Sequence, residues 1–296
     1  MIQKETDILV IGSGLSGAIS ALTAAEENKK VILITKNKTL LSGNTKWAQG
    51  GIAYTNTNDS EEKFIQDISV AGHNHNNDLA VQQLVTEGPK LVESLLINKF
   101  EVPFEKDSNG NLLYTSEAAH STNRIIHCKD QTGNVIHNHV LKKLRNHPNI
   151  KIYRNHTAID LLTYSHHSIN AVDIYKKPAC FGAIILDNIN QEIIKIHSKK
   201  TILATGGLGQ IYLHTTNPSE SRGDGVAMAW RAGARCFNLH YIQFHPTALY
   251  HESGRFLISE ALRGEGAKLL DNNGKCFMDS IHSLGSLAPR DIVSRG

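Results

Sequence analysis

The chain has 296 residues, 40% hydrophobic and 20% charged, with 31 basic against 28 acidic side chains for a formal charge of +3. That length can bury a large core in one or two domains, and a near-balanced charge without a basic block gives no reason to expect nucleic acid or an anionic membrane as partner. The longest apolar runs, such as Ile8–Ile11 and Ile202–Ala204, are strand-sized, far short of the roughly 20 residues of a membrane span, and no secretory h-region precedes the first strand.

In chain order, Asp7 to about Asn28 reads as strand, turn and helix: Ile8–Ile11 is a buried parallel strand and Leu15–Ala25 is rich in helix formers. A second apolar strand, Val31–Ile34, completes a right-handed βαβ unit expected at the centre of a sheet. A loop of Gly and small polar residues follows over 42–51, then helical stretches near Ser60–Ala71 and Asp78–Asn98, and a turn at Asp107–Gly110 between short strands. Thr132–Arg145 reads as a helix and Ile150–Tyr153 as a strand. Ala158–Leu162 and Phe181–Leu186 form a small antiparallel insert with its turn at Asn188–Gln191. A buried strand from Lys200 ends at Gly206-Gly207, and Gly225–Gly233 is a small-residue helix. There are no internal repeats. Cys128, Cys180, Cys236 and Cys276 are far apart and form no CxxC, which reads as reduced thiols of a cytoplasmic protein. Sixteen histidines include no HxxxH or HExxH spacing, so no metal site is expected.

The turn Gly12-Ser13-Gly14-Leu15-Ser16-Gly17 is a GxGxxG placed between a strand and a helix, the context that makes this motif specific for a dinucleotide. Gly12 permits the tight turn, Gly14 lets the pyrophosphate approach the backbone, and Gly17 lets helix and strand pack. The phosphates then meet the unpaired N–H groups and dipole of the helix N-terminus. The acid that usually clasps an NAD ribose after the second strand is absent; Thr35-Lys36 stands there, with Lys36 either a cofactor contact or a solvated strand-end lysine. Ala204-Thr-Gly206-Gly207 and Ser221-Arg-Gly223-Asp224-Gly225 favour FAD, the second placing an acid on a tight turn suited to a hydroxyl-rich ligand.

Five ordered segments then carry a family resemblance: Asn44-Thr45-Lys46-Trp47-Ala48-Gln49-Gly50-Gly51, Gly223–Gly233, Gln243-Phe-His245-Pro-Thr-Ala-Leu-Tyr250, Glu260-Ala-Leu-Arg263-Gly-Glu-Gly266 and Leu287-Ala-Pro-Arg290-Asp-Ile-Val293. Together they resemble the L-aspartate oxidases of the succinate dehydrogenase/fumarate reductase flavoprotein family, over residues 7–296. The resemblance implies an α/β fold: a Rossmann-like, glutathione-reductase-like FAD-binding domain over 1–238 with the small antiparallel insert, and the start of an α+β capping domain over 239–296. Ser13, Gly14, Leu15, Ser16, Lys36, Asn44 through Gly51, Thr157 and Asp224 would line FAD. In covalently flavinylated members a histidine precedes the threonine of the Asn44 loop; Asn44 cannot form that link, so the FAD is expected to be non-covalent.

The same resemblance supplies catalytic candidates, each beside a plainer reading. His245, held extended by Pro246, is either structural or the ligand of a substrate carboxylate. Arg290 is either a surface arginine or the proton-transferring arginine. Because an arginine pKa lies above 12, that role needs a relay, which Glu260 and Arg263 would provide; at i,i+3 spacing they also suit a helix salt bridge. Ser259 adjoins this pair. Glu117 would orient the substrate by pairing with its amino group, which succinate lacks, although Ser116 and Ala118-Ala119 depart from the family's Arg and Gly-Gly there.

The implied reaction is FAD-dependent oxidation of L-aspartate to iminoaspartate with oxygen or fumarate as acceptor, the first step of de novo NAD biosynthesis, with a quinolinate synthase taking up the product. Two alternatives stand beside it: a fumarate reductase/succinate dehydrogenase-like flavoprotein, and an inactive FAD-binding fragment. The last follows from the expectation that the family fold continues past Gly296 with the rest of the cap, a second substrate histidine and arginine, and a final flavin-contacting segment.

Overall fold

The computed structural model describes residues 2–56, 58–115, 120–252, 254–264 and 266–296. Apolar residues without alternation leave Leu9–Ile11 and Val31–Thr35 no solvent face, and both are buried throughout as parallel strands.

Along the chain the elements are β1 (Ile2–Ile11), α1 (Leu15–Glu26), β2 (Val31–Thr35), α2 (Asn44–Trp47), β3 (Ile52–Ala53), α3 (Glu61–Ala71), α4 (Asp78–Leu91), β4 (Ile125–Ile126), α5 (Thr132–Arg145), β5 (Ile150–Arg154), β6 (His156–Thr163), α6 (Tyr164–His167), β7 (Cys180–Asp187), β8 (Glu192–Leu203), α7 (Asp224–Arg231), β9 (Ala248–His251), β10 (Gly254–Leu257), α8 (Ala261–Gly264) and α9 (Arg290–Arg295). They fall into two compact units: unit 1 is 1–47 with 136–241, and unit 2 is 48–135 with 242–296.

Unit 1 is built on a six-stranded sheet in the order β5-β2-β1-β8-β7-β6. Parallel pairing joins β5, β2, β1 and β8, with Val10 opposite Leu33 on one side and Ile202 on the other. The small antiparallel insert read in the sequence belongs to this sheet. β8 runs for twelve residues, so its early part pairs with β1 on one edge and with antiparallel β7 on the other, as at Ile196 opposite Lys4 and Ala183. Leu9, Ile11, Ile32, Ile34, Ile185, Ile196 and Met228 pack one core beneath the turn between β1 and α1.

Unit 2 has short elements. Ser60 caps α3 by accepting from the Lys63 N–H, and Asn77 caps α4 through Ala80. The single helix expected over Asp78–Asn98 changes character: Pro89 supplies no N–H to the ladder, and Val92–Lys99 continues as a π-helix. Its cores are small, one around Phe64, Val81 and Val85, another around Met278, Ala288 and Val293. Among the described residues no helix is long and apolar enough to cross a membrane, and no group of three potential ligands suits a metal.

Candidate functional site

In unit 1 the chain leaves β1 at Gly12 with φ of 114°, a conformation that side chains resist, and a Cβ there would lie 2.2 Å from the Ala204 carbonyl oxygen. A Cβ at Gly17 would lie 2.0 Å from the Gly12 carbonyl oxygen, so its absence lets α1 close onto the strand end. Ser13 is buried. Its Oγ donates to the Leu40 carbonyl at 3.0 Å, and its own carbonyl accepts from His137 Nε2 at 2.8 Å. The Leu15 N–H donates to Thr45 Oγ1 at 3.2 Å, which ties α2 to the start of α1. Gly14 occupies the N-cap of the twelve-residue α1 and offers no side-chain acceptor, so the first-turn N–H groups beyond Leu15 are left without a cap.

Above this turn lies a cavity of about 680 Å³, a size usual for cofactor sites. Gly12, Ser13, Gly14, Leu15, Ser16, Lys36, Asn44, Thr45, Thr157 and Asp224 all line it. Lys36 Nζ donates to Asp224 Oδ2 at 2.5 Å and to the Glu220 carbonyl at 2.9 Å, so the strand-end lysine and the acidic turn meet. Asn44 Nδ2 donates to Ser221 Oγ at 2.9 Å, and Thr157 exchanges hydrogen bonds with the Asn188 amide. The remaining residues of the expected set lie elsewhere. Gly17 packs under the turn. Lys46 sits over the half-exposed Trp47 ring, 5.2 Å from its centroid. Ala48, Gln49, Gly50 and Gly51 belong to unit 2, where Ala48 accepts from the Gly133 N–H and Gly51 abuts β4 so closely that a Cβ would lie 2.4 Å from the Ile126 carbonyl oxygen.

The residues fit a dinucleotide: a backbone turn closed to side chains, an uncapped helix N-terminus for phosphate, and a carboxylate at the start of α7 for ribityl or ribose hydroxyls. His156, Arg235, Cys236 and Phe237 also line the cavity, and no sequence pattern marked them.

Unit 2 holds a second cluster. Glu260 accepts from Arg290 Nε at 2.6 Å and pairs with Arg263 Nη2 at 3.7 Å, while Arg290 Nη1 donates to Gln243 Oε1 at 3.3 Å. Arg263 is 3% exposed; Nη1 donates to the Ser286 carbonyl, whereas Nε and Nη2 make no hydrogen bond. His245 lies in the field of all three: burial lowers its pKa, the Thr247 carbonyl raises it, Arg290 lowers it, Glu260 raises it and Arg263 lowers it, leaving the net below the ordinary value. Its Nδ1 lies 2.8 Å from the Thr247 carbonyl oxygen and 3.3 Å from the Thr247 N–H nitrogen; the shorter contact, to an atom that only accepts, assigns the proton to Nδ1. Two guanidinium groups thus share one carboxylate beside a neutral imidazole, a surplus of positive charge suited to a dicarboxylate. Ser259 begins the turn, its carbonyl accepting from the Leu262 N–H at 3.3 Å.

Glu117 lies outside the described residues. On its two sides, Thr115 pairs with Ile125, and His120 accepts at Nδ1 from Arg124 Nη1 at 3.0 Å. Arg124 is fully buried, bound at Nε and Nη2 to both oxygens of Asp59 (2.7 and 2.8 Å) and at Nη1 to Asp67. Burial pushes Asp67 up, but the Ser121 and Arg124 donors hold it below the usual carboxylate value. Sequence reading missed this triad, since its members are 57 and 65 residues apart. It also missed His73, which pairs with Asp291 at 3.3 Å beside Arg290.

Residues 7–296 match the family described as FAD binding domain. The chain is 42% identical to L-aspartate oxidase 1 of Ralstonia nicotianae over 98% of its length and 53% of that protein's. It is 40% identical to L-aspartate oxidase of Pseudomonas aeruginosa, covering 98% of this chain and 54% of that one. It therefore spans about half the length of these curated relatives. Among solved structures it resembles an Escherichia coli quinol fumarate reductase chain, with TM-score 0.86 and 24% identity over 100% of this chain and 50% of that one. A Mycobacterium smegmatis Sdh1 complex gives TM-score 0.81 and 25% identity, with 100% and 49% covered.

Proposed function

Because the chain belongs to the FAD binding domain family, and FAD is therefore its cofactor, we propose that unit 1 holds FAD non-covalently and that the whole protein oxidises L-aspartate to iminoaspartate. The observation that carries the substrate half is the cluster of Glu260, Arg263, Arg290 and His245, whose charge suits a dicarboxylate. The curated relatives share this name for the reaction.

In the cavity, Gly12–Ser16 would face the pyrophosphate, while Lys36, Asp224, Asn44 and Thr157 would contact the rest of the cofactor. Bound FAD supplies the acceptor for the hydride from the substrate carbon. Asn44 has no ring nitrogen to attach to a flavin, which supports non-covalent binding. Lys46, Trp47, Ala48, Gln49, Gly50 and Gly51 are assigned to the cofactor by the resemblance alone, since none of them lines this cavity.

The chain's own residues would act on the substrate as follows. Arg290 faces one carboxylate and moves the proton; Glu260, bonded to its Nε, and Arg263 behind it form the relay. His245 has committed its Nδ1–H to Thr247, so it donates to a substrate carboxylate from Nε2 only as imidazolium. Carboxylate arrival favours that form. Ser259 orients the turn, and Glu117 selects the amino group. Residues 239–296 would open a capping domain on an FAD domain of 1–238. Oxygen or fumarate would accept the electrons in the cytoplasm. The imine product would pass to a quinolinate synthase in NAD biosynthesis.

Anaerobic flavin bleaching tests this reading. L-Aspartate is expected to reduce the bound flavin, with peroxide forming when air is admitted. Bleaching by succinate but not aspartate would favour a fumarate reductase-like dehydrogenase, and bleaching by neither would leave an FAD-binding fragment.

A further inference from the structure

His137 on α5 is fully buried, yet nothing in its sequence context marks it as part of a cofactor site. Its Nε2 is 2.8 Å from the Ser13 carbonyl oxygen. A carbonyl only accepts, so Nε2 carries the proton and Nδ1 is the bare nitrogen, which is buried and has no hydrogen-bond partner. Burial lowers the ring's pKa, against a smaller opposing effect of the Ser13 carbonyl and with help from the Arg145 charge, so the imidazole is neutral.

The consequence lies in the peptide that this bond holds. The Ser13 carbonyl and the Gly14 N–H belong to one trans peptide unit and point in opposite directions. With the carbonyl drawn toward His137, and the Ser13 side chain drawn separately to Leu40, the Gly14 N–H is turned to the other side of the chain, where Gly14 lines the cavity. We propose that His137 is a positioning residue for FAD: it fixes the Ser13–Gly14 peptide so that the Gly14 N–H is aimed at the pyrophosphate. The carbonyl bond also removes the acceptor that would otherwise repel phosphate oxygens if the peptide flipped. This inference deepens the FAD reading and rests on it.

The test compares His137→Met, which keeps an apolar side chain of similar length but donates nothing, with His137→Gln, whose amide nitrogen can replace Nε2–H. FAD dissociation constants are measured by flavin fluorescence on the apoprotein, alongside apoprotein melting temperatures. His137→Met is expected to weaken FAD by about tenfold, the loss of one buried hydrogen bond, and His137→Gln is expected to restore most of it. Unchanged FAD affinity in His137→Met overturns the proposal, as does an equal loss in both variants. A second measurement needs no substitution: 15N NMR of the histidine rings should show His137 as a neutral, slowly exchanging Nε2–H tautomer, and an Nδ1–H tautomer overturns the proposal. Wild-type protein without FAD affinity overturns the cofactor reading and this inference together, whereas a bound flavin that aspartate does not reduce touches only the proposed reaction.

Discussion

The turn above β1 and the cluster around Glu260 are both candidate binding sites, but they are made of different materials. In unit 1 the shape comes from backbone: strand ends, the positive-φ glycines Gly12, Gly43 and Gly206, and a helix N-terminus, with side chains such as His137 and Thr45 holding peptides in place. In unit 2 it comes from charged side chains on short elements, where Arg290 reaches Glu260 across 30 residues of chain and a four-residue helix carries Arg263. A backbone site depends on a few positions where a side chain would not fit. A side-chain site depends on each charge having its partner, so single isosteric changes should disable it while the fold stands.

That contrast can be broken or sharpened by substitution. The largest effect is expected at Arg124. Removing it as Arg124→Met strands the buried carboxylate of Asp59, and loss of one partner of such a group costs about 3–5 kcal/mol. Urea unfolding should show it, and a loss under 1 kcal/mol would mean the triad is solvated. Next, Glu260→Gln keeps volume but removes the charge between Arg263 and Arg290. Turnover should fall by about 100-fold or more with FAD content unchanged, as checked by stopped-flow flavin reduction. Gly12→Ala should do the reverse. The added methyl meets the Ala204 carbonyl, costing roughly 1–3 kcal/mol, and flavin should be lost on gel filtration. An Ala variant that retains flavin would show that the turn is less closed to side chains than its geometry indicates.

The pH response of His245 is smaller. Its pKa is depressed in the folded state, so the stability it contributes is present above the unfolded value, about 6.5, and is lost as pH falls through the lower folded value. Melting curves from about pH 7.5 to 5 should therefore drop less steeply for His245→Asn than for wild type. Binding has the opposite sign: if the imidazolium holds the carboxylate, KM for aspartate should climb as pH rises. The smallest change is expected at Lys199, paired with Asp7 on the surface at 2.6 Å. Lys199→Ala should leave the melting temperature within error.

The glycine turn after β1 was legible because its geometry is written in local spacing: Gly12, Gly14 and Gly17 lie close together, and apolar β1 and helical α1 frame them. The same locality made α5 readable to its exact ends. What escaped depended on distant pairing. That β7 and β6 extend the main sheet follows from β8 serving two neighbours, which no window of sequence reveals. The triad of Arg124, Asp59 and Asp67 was hidden because each residue alone looks like a surface charge. In unit 2 the residues His245, Glu260, Arg263 and Arg290 were found only through a resemblance, since their own neighbourhoods fit a salt bridge or a turn equally well. The π-helix after Pro89 was missed because helical periodicity cannot tell i+4 from i+5 bonding over eight residues.

The pairing of β1 with β8 also sets a schedule. β1 is complete once residue 11 has been made, but the strand that covers its other edge begins at Glu192. At roughly 5–20 residues per second, synthesis leaves that apolar edge waiting on the order of 10–40 s. β2 follows within 20 residues of β1, so the β1–α1–β2 unit of the nascent chain would form early and stay open on one side. The edge closes only when β8, which begins 181 residues beyond Ile11 (192 − 11), has emerged.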